Sequence, residues 1–388
     1  MSTLNVEGIK NTAATSDTIT FATDGTCTAK VTNNQNTRNL VINGAMQCAQ
    51  YGASSGSSGF KTVDRFAFYG TGLNAAVTVA QADVASATTP YTLGFRKSHK
   101  ITNGAQTGPD AGDYIYFSHK IEAQNMATSG WNYTSASSYV TLSFWVKSSV
   151  AQNFYGYLKT ADGTSQNYPF ETGALSANTW TKITKTIPGH ANLQFDMDAN
   201  MGVEIVIAPF FGTDKTGSIS LNAWGAWSSS NRLPDMTSTW FTTNGATFEY
   251  TGVQLTVTDY CPDYPHSSYD DELRRCYRYC QKYHPNGNTY RFLCQGNVDN
   301  DGNNLAMFLP FIHEFRDEPT MTTTGSASDY AVRRDTTQTC TSVPTAGTTS
   351  TMSTGITFTK SSHGWATGQS VKAFFKTAGS YLIFAAEM

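Results

Sequence analysis

The chain has 388 residues, a formal charge of −3 and 14% charged side chains, against roughly 25% in an average globular domain. That near-neutral balance, without basic runs, argues against nucleic acid as a partner, and the length leaves room for two or three domains. Thr, Ser, Asn and Gly fill the deficit, beside 20 Tyr and 22 Phe; polar turns with aromatic strands predict an all-β protein of many short strands.

The start, MSTLNVEGIK, has no apolar core segment, so no signal peptide is expected. No uninterrupted apolar run approaches the ~18 residues of a membrane span. The expectation is a soluble protein made in the cytoplasm, with no membrane insertion. Residues 1–38 read as an extended polar arm in which Leu4, Val6 and Ile9 are apolar anchors. So thin an apolar content buries no core alone. The arm must lie on its own body, on a sister subunit or on a larger assembly.

Residues 39–258 read as a β-sandwich or jelly roll. Strands are predicted at 65–69, 76–80, 98–102, 113–121, 154–159, 180–187 and 247–257, with turn residues clustered between them. Along 141–147, Thr141, Ser143, Trp145 and Lys147 face one way and Leu142, Phe144 and Val146 the other. VEIVIAPFF at 203–211 is continuously apolar, as a central strand would be.

The third region, 259–388, opens on one helix, predicted over 267–281. Leu273, Cys276, Tyr277 and Cys280 fall at i, i+3, i+4 and i+7 on one apolar stripe. Ser267 or Ser268 caps its start, and acidic residues precede Arg274, Arg275 and Arg278, the order the helix dipole favours. His284-Pro285-Asn286-Gly287 stops it. The helix is read as the joint between the sandwich and a C-terminal β domain. Its arginines are candidates for subunit contacts. Strands are predicted beyond it at 290–294, 305–311, 331–334, 355–360, 369–376 and 379–387. The Thr/Ser-rich interval 336–353 reads as a loop or a weakly specified strand pair.

Candidate chemistry is sparse. Trp224, Trp227 and Trp240 lie in a turn-rich stretch, and Trp131 and Tyr133 in a second loop. An aromatic ring offers an apolar face to sugar C–H groups, so these five are candidate glycan-binding residues; filling the sandwich core is the alternative. Asp196 and Asp198 share one face of an extended segment. They read as a solvated strand edge, a calcium pair or part of a catalytic carboxylate pair. Cys276 and Cys280 with His284 suggest a metal face, or ordinary packing on the apolar stripe. Packing is the stronger reading, so no metal, cofactor or catalytic residue is expected. The seven cysteines are scattered and odd in number, which predicts mostly free, packed thiols.

Several segments together resemble a known family. They are NLVINGAMQCAQYG (39–52), TVDRF (62–66), IEAQN (121–125), TLSFWVKSS (141–149), WTKITKTIPG (180–189), GVQL (252–255) and ELRRCYRY (272–279). In this order they are similar to bacteriophage virion fibre and tail proteins that carry a carbohydrate-binding-module-like jelly roll. LNVEGIKN resembles the virion-attachment start of such proteins, and FRDEPT (315–320) a segment that follows the helix. Where the family often continues VQLE, this chain has Thr256, so no role of that carboxylate carries over. The last ~60 residues match nothing in the family. The resemblance implies a phage virion structural protein, a homotrimeric tail fibre. Its arm would attach to other virion proteins through Leu4, Val6 and Ile9, and it would bind host cell-surface polysaccharide. A head fibre or capsid decoration protein is the alternative, and a polysaccharide-degrading tailspike enzyme a more distant one.

Overall fold

A computed structural model of the chain describes residues 7–9, 19–29, 38–300 and 302–388. Leu4 and Val6 lie outside them. Ile9 closes the strand Gly8–Ile9, which pairs with Ile19–Phe21, itself paired with Cys27–Ala29. Half of the Ile9 surface is exposed.

Two six-stranded antiparallel sheets form a sandwich. The first runs in the order Gly225–Ala226, Gln166–Leu175, Gln152–Thr160, Met201–Phe211, Tyr114–Glu122, Phe66–Thr71. The second runs Thr181–Pro188, Tyr139–Ser148, Thr247–Thr256, Lys97–Thr102, Thr78–Asp83, Ser54–Ser55. Side chains alternate across each strand, so Ile115, Phe117 and Ile121 meet Leu142, Phe144 and Val146 in one shared core. Met201–Phe211 is buried on both faces, which explains its unbroken apolar run. On its outer side Val206, Ala208 and Phe211 pack with Leu233 and Trp227.

The remaining strands build a seven-stranded sheet and a three-stranded one around a second core. The interval read as a loop or weak strand pair supplies Thr337–Thr339 and Thr345–Thr349, one at each edge of the seven-stranded sheet. The strand Gln166–Leu175 was not expected. Its Asn167, Pro169 and Gly173 carry turn signals, and burial between two neighbours overrides them.

The helix is shorter than its periodicity predicts. It spans Tyr269–Cys276, with Ser268 Oγ accepting from the Asp271 amide at 3.1 Å. Cys280 lies instead in the strand Cys280–Tyr283, paired with Leu382–Ala385. Pairing with the chain end satisfies the backbone there, a long-range partner that no local pattern announces. Among the described residues three further α-helices, Thr89–Thr92, Ala123–Ala127 and Thr239–Thr242, are single turns too short to leave a periodic signal.

Candidate functional site

The outer face of the first sheet carries rows of aromatic side chains. Period-2 alternation along Tyr114–Glu122 sends Tyr114 and Tyr116 outward while Ile115 and Phe117 enter the core. Register places Tyr69 opposite Tyr116, and Tyr114 opposite Phe211. The Tyr69 and Tyr116 rings lie 5.1 Å apart between centroids, Tyr114 and Tyr116 5.4 Å, and Tyr116 and Phe211 5.4 Å. Farther across the sheet Tyr157 meets Trp227 at 5.3 Å. Tyr69, Tyr114, Tyr116, Tyr155 and Trp227 are half-buried, so each ring is held by packing yet keeps exposed surface.

Polar groups border these rings. Lys159, Glu204 and Lys120 form one cross-strand row, and Glu204 accepts from Ser118 Oγ at 2.7 Å. The Lys159 ammonium lies 4.6 Å from the Trp227 ring centroid, and the Arg232 guanidinium 5.2 Å from it. Asn167 Nδ2 donates to the Arg232 carbonyl at 2.9 Å, while its Oδ1 is buried without a partner. Burial, then the Glu204 charge, pushes the hydroxyls of Tyr116 and Tyr157 well above the usual phenol range. They stay protonated and able to donate at neutral pH. Rings with apolar faces, flanked by fixed donors and acceptors, form a surface chemically matched to a sugar.

Of the five aromatic candidates taken from the sequence, only Trp227 sits in these rows. Trp240 is fully buried, its Nε1 donating to the Thr247 carbonyl at 3.1 Å and its ring against Phe154 and Phe248. It offers no face to a ligand, and the core alternative is the correct one there. Trp131 is likewise buried, against Tyr133 and Phe195. Tyr133 is half-buried and packs against the same core, edge-on to Phe195. Trp224 packs on Tyr168 and donates to the Pro188 carbonyl at 2.7 Å, apart from the rows. Tyr69, Tyr114, Tyr116 and Tyr155 were missed. The Tyr-x-Tyr spacing at 114 and 116 was the available signal, since alternation puts both on one face.

Five of the segments that carry the family resemblance, 39–52, 62–66, 121–125, 272–279 and 315–320, gather elsewhere, at the joint. Glu122 accepts from both Arg278 Nε at 2.7 Å and Nη2 at 2.9 Å, and from the Tyr279 hydroxyl at 2.5 Å. Arg275 donates to the carbonyls of Asn39 and Val41. Asn43, at φ 60°, takes Glu272 Oε1 at its amide and binds Cys48 and Asp64 through its side chain. Asp64 accepts from the Gln50 backbone and side chain, both at 2.7 Å. Arg316, from FRDEPT, donates to the Ala199 carbonyl. Arg275 and Arg278 thus bond within the chain; Arg274 is exposed and paired with Asp270 at 3.1 Å.

Asp196 Oδ1 accepts from Gln194, and Asp198 from the Asn200 amide and side chain, all at the surface. Cys276 and Cys280 are fully buried, on a helix and a strand, and the cysteines among the described residues are free thiols. Among the described residues no three His, Cys, Asp or Glu gather as a metal site.

No protein-family model and no curated protein matches the sequence. Solved structures similar to it include the enzymatically active domain of tailspike protein 4 from bacteriophage CBA120. That pair shares 14% identity over 59% of this chain at a TM-score of 0.30. The likeness spans only 24% of the tailspike structure's own length. A second is the N-terminal cellulose-binding domain of Cellulomonas fimi β-1,4-glucanase C, with 9% identity over 55% of this chain and 100% of that one, TM-score 0.27. A third is the family 11 carbohydrate-binding module of Clostridium thermocellum, solved with a mixed-linked tetrasaccharide, with 11% identity over 53% of this chain and 95% of that one, TM-score 0.24. At scores and identities this low the likenesses carry no argument about function. The sandwich stands on its own strand pairing.

Proposed function

We propose that this chain is a glycan-binding structural protein of a phage virion, a homotrimeric tail fibre held to the particle through its N-terminal arm. The observation that supports glycan binding is the aromatic outer face of the first sheet, bordered by Lys120, Lys159, Glu204 and Arg232. The virion assignment rests on the sequence segments that resemble phage fibre proteins. Trimerisation multiplies weak sugar contacts, since each further site engages at high effective concentration. In this reading the protein binds polysaccharide and does not cleave it.

Retention of the purified chain on immobilised host surface polysaccharide is the test. Tyr116→Ala and Trp227→Ala each weaken retention roughly tenfold, about 1.4 kcal/mol, with a cooperative thermal melting transition retained. Retention unaffected by both changes overturns the assignment of this face. Release of reducing ends from the polysaccharide overturns the non-enzymatic reading. Light scattering gives three times the 42.1 kDa chain mass for the trimer, and a monomer overturns it. Density for the protein at the tail of an intact particle, as opposed to the capsid, separates a tail fibre from a head fibre.

A further inference from the structure

The opposite side of the sandwich holds a second, smaller site. On the outer face of the second sheet a pocket of about 230 Å³ is lined by Trp145, Ser143, Gln254, Phe95, Tyr264 and His266, with Lys182 and Asp263 exposed at its mouth. Drug-sized ligand sites run roughly 300–1,000 Å³, so this one suits a single ring.

Its construction is specific. A register shift between Thr251 and Gln254 interrupts the pairing of Thr247–Thr256 with Tyr139–Ser148. Gly252, at φ +66°, lies within it; a Cβ there would fall 2.6 Å from the Phe95 ring. Phe95, Tyr264 and His266 pack mutually with centroids 4.9–5.0 Å apart and form one wall. His266 is fixed by Leu93, whose carbonyl lies 2.8 Å from Nε2. Trp145 is half-buried and its indole has no ring partner and no hydrogen-bond acceptor among the described residues.

Gln254 supplies the feature that points to a ligand. It is 2% exposed. Its Nε2 donates to Ser143 Oγ and to the Pro262 carbonyl, both at 2.9 Å. Because the Pro262 carbonyl only accepts, the amide orientation is fixed. Its Oε1 is left buried with no partner. A buried acceptor without a donor is disfavoured, and native proteins rarely leave one so. Lys182 and Asp263 form no ion pair among the described residues and carry opposite charges, so the mouth is not selective for an anion or a cation.

A half-exposed indole face, an unmatched acceptor and two opposite charges match a cyclic polyol. We propose that this pocket binds one pyranose ring, its C–H face on Trp145 and one hydroxyl donated to Gln254 Oε1. The site is separate from the aromatic rows and does not depend on their function. The ring's source is either a free monosaccharide or the terminal residue of a longer glycan.

The test is ligand-observed saturation-transfer NMR on the full chain with methyl glycosides of glucose, galactose, mannose, rhamnose and N-acetylglucosamine. At least one gives a signal with the wild type and with Tyr116→Ala. Trp145→Ala weakens it at least tenfold, and Lys182→Met several-fold. Melting of the Trp145→Ala chain is checked; if it fails to fold, Trp145→Phe and Lys182→Met carry the test. No signal from any glycoside with the wild type, or a signal unchanged in the Trp145 and Lys182 variants, overturns the proposal. Displacement of the bound glycoside by an oligosaccharide ending in the same sugar identifies a terminal residue as the source. Failure to displace identifies the free sugar. Polysaccharide retention that survives Trp145→Ala but not Tyr116→Ala keeps the two sites distinguishable.

Discussion

The Arg65 guanidinium lies over the Tyr279 ring, 3.4 Å from its centroid. Its other contacts are an ion pair with Glu387 and a 2.7 Å hydrogen bond to the Lys120 carbonyl. One buried cation thus ties the edge of the sandwich to the turn after the helix and to the chain end. Removing one partner of such a pair strands the other charge in a dry site, at a cost of about 3–5 kcal/mol. Arg65→Met is therefore expected to lower stability by that order in denaturant unfolding, and Arg65→Met with Glu387→Gln by less than Arg65→Met alone.

The joint also makes stability depend on pH. Burial pushes the Asp64 carboxyl up to about 7, with the Gln50 hydrogen bonds pulling the other way. An acid raised in the folded state contributes stability that is full below its unfolded value of 3.8 and is lost as pH rises through about 7. Glu122 is the reverse: burial raises it, but Arg278, Tyr279 and Gln124 together pull it below its usual value. Its contribution is present above the carboxylate range and lost as pH falls through it. Thermal melting of the wild type should decline between about pH 5 and about pH 7, and Asp64→Asn should flatten that decline.

Two tryptophans separate core from binding face. Trp240→Ala empties a fully buried site and is expected to cost about 3–5 kcal/mol. Trp227→Ala, at a half-buried ring, should cost less stability yet weaken polysaccharide retention. Denaturant unfolding and retention measured on both variants check this crossed pattern.

Gly44 tests the packing of the segment at 39–52. A Cβ there would lie 2.0 Å from the Val253 carbonyl oxygen, a contact no side chain can make without backbone movement. The Val253 amide donates to the Gly44 carbonyl at 2.9 Å, which holds the two strands of chain together. Gly44→Ala should cost more than 2 kcal/mol in unfolding, an order typical of overpacking. A Gly245→Ala change, where a Cβ meets nothing within 4 Å, isolates the strain of its φ +73° from the clash.

What the sequence determined by itself was the material of local repeats. Alternation along 141–147 predicted the inward Leu142, Phe144 and Val146, and the unbroken run at 203–211 predicted a central strand, which the fold covers on both faces. The acid-then-base order after Ser268 predicted a helix start, since capping and dipole act within one turn. Only the tertiary structure decided where that helix ends, because Cys280–Tyr283 answers to a partner a hundred residues away at Leu382–Ala385. It also decided which aromatics face outward. Trp240 and Trp227 look alike in a turn-rich stretch, and burial against Phe154 or exposure beside Arg232 depends on packing between distant strands. The same holds for Gln254, whose unmatched oxygen exists only because Ser143 and Pro262 both take its amide hydrogens. Local patterns are set by neighbours along the chain. Sites are set by which strands meet.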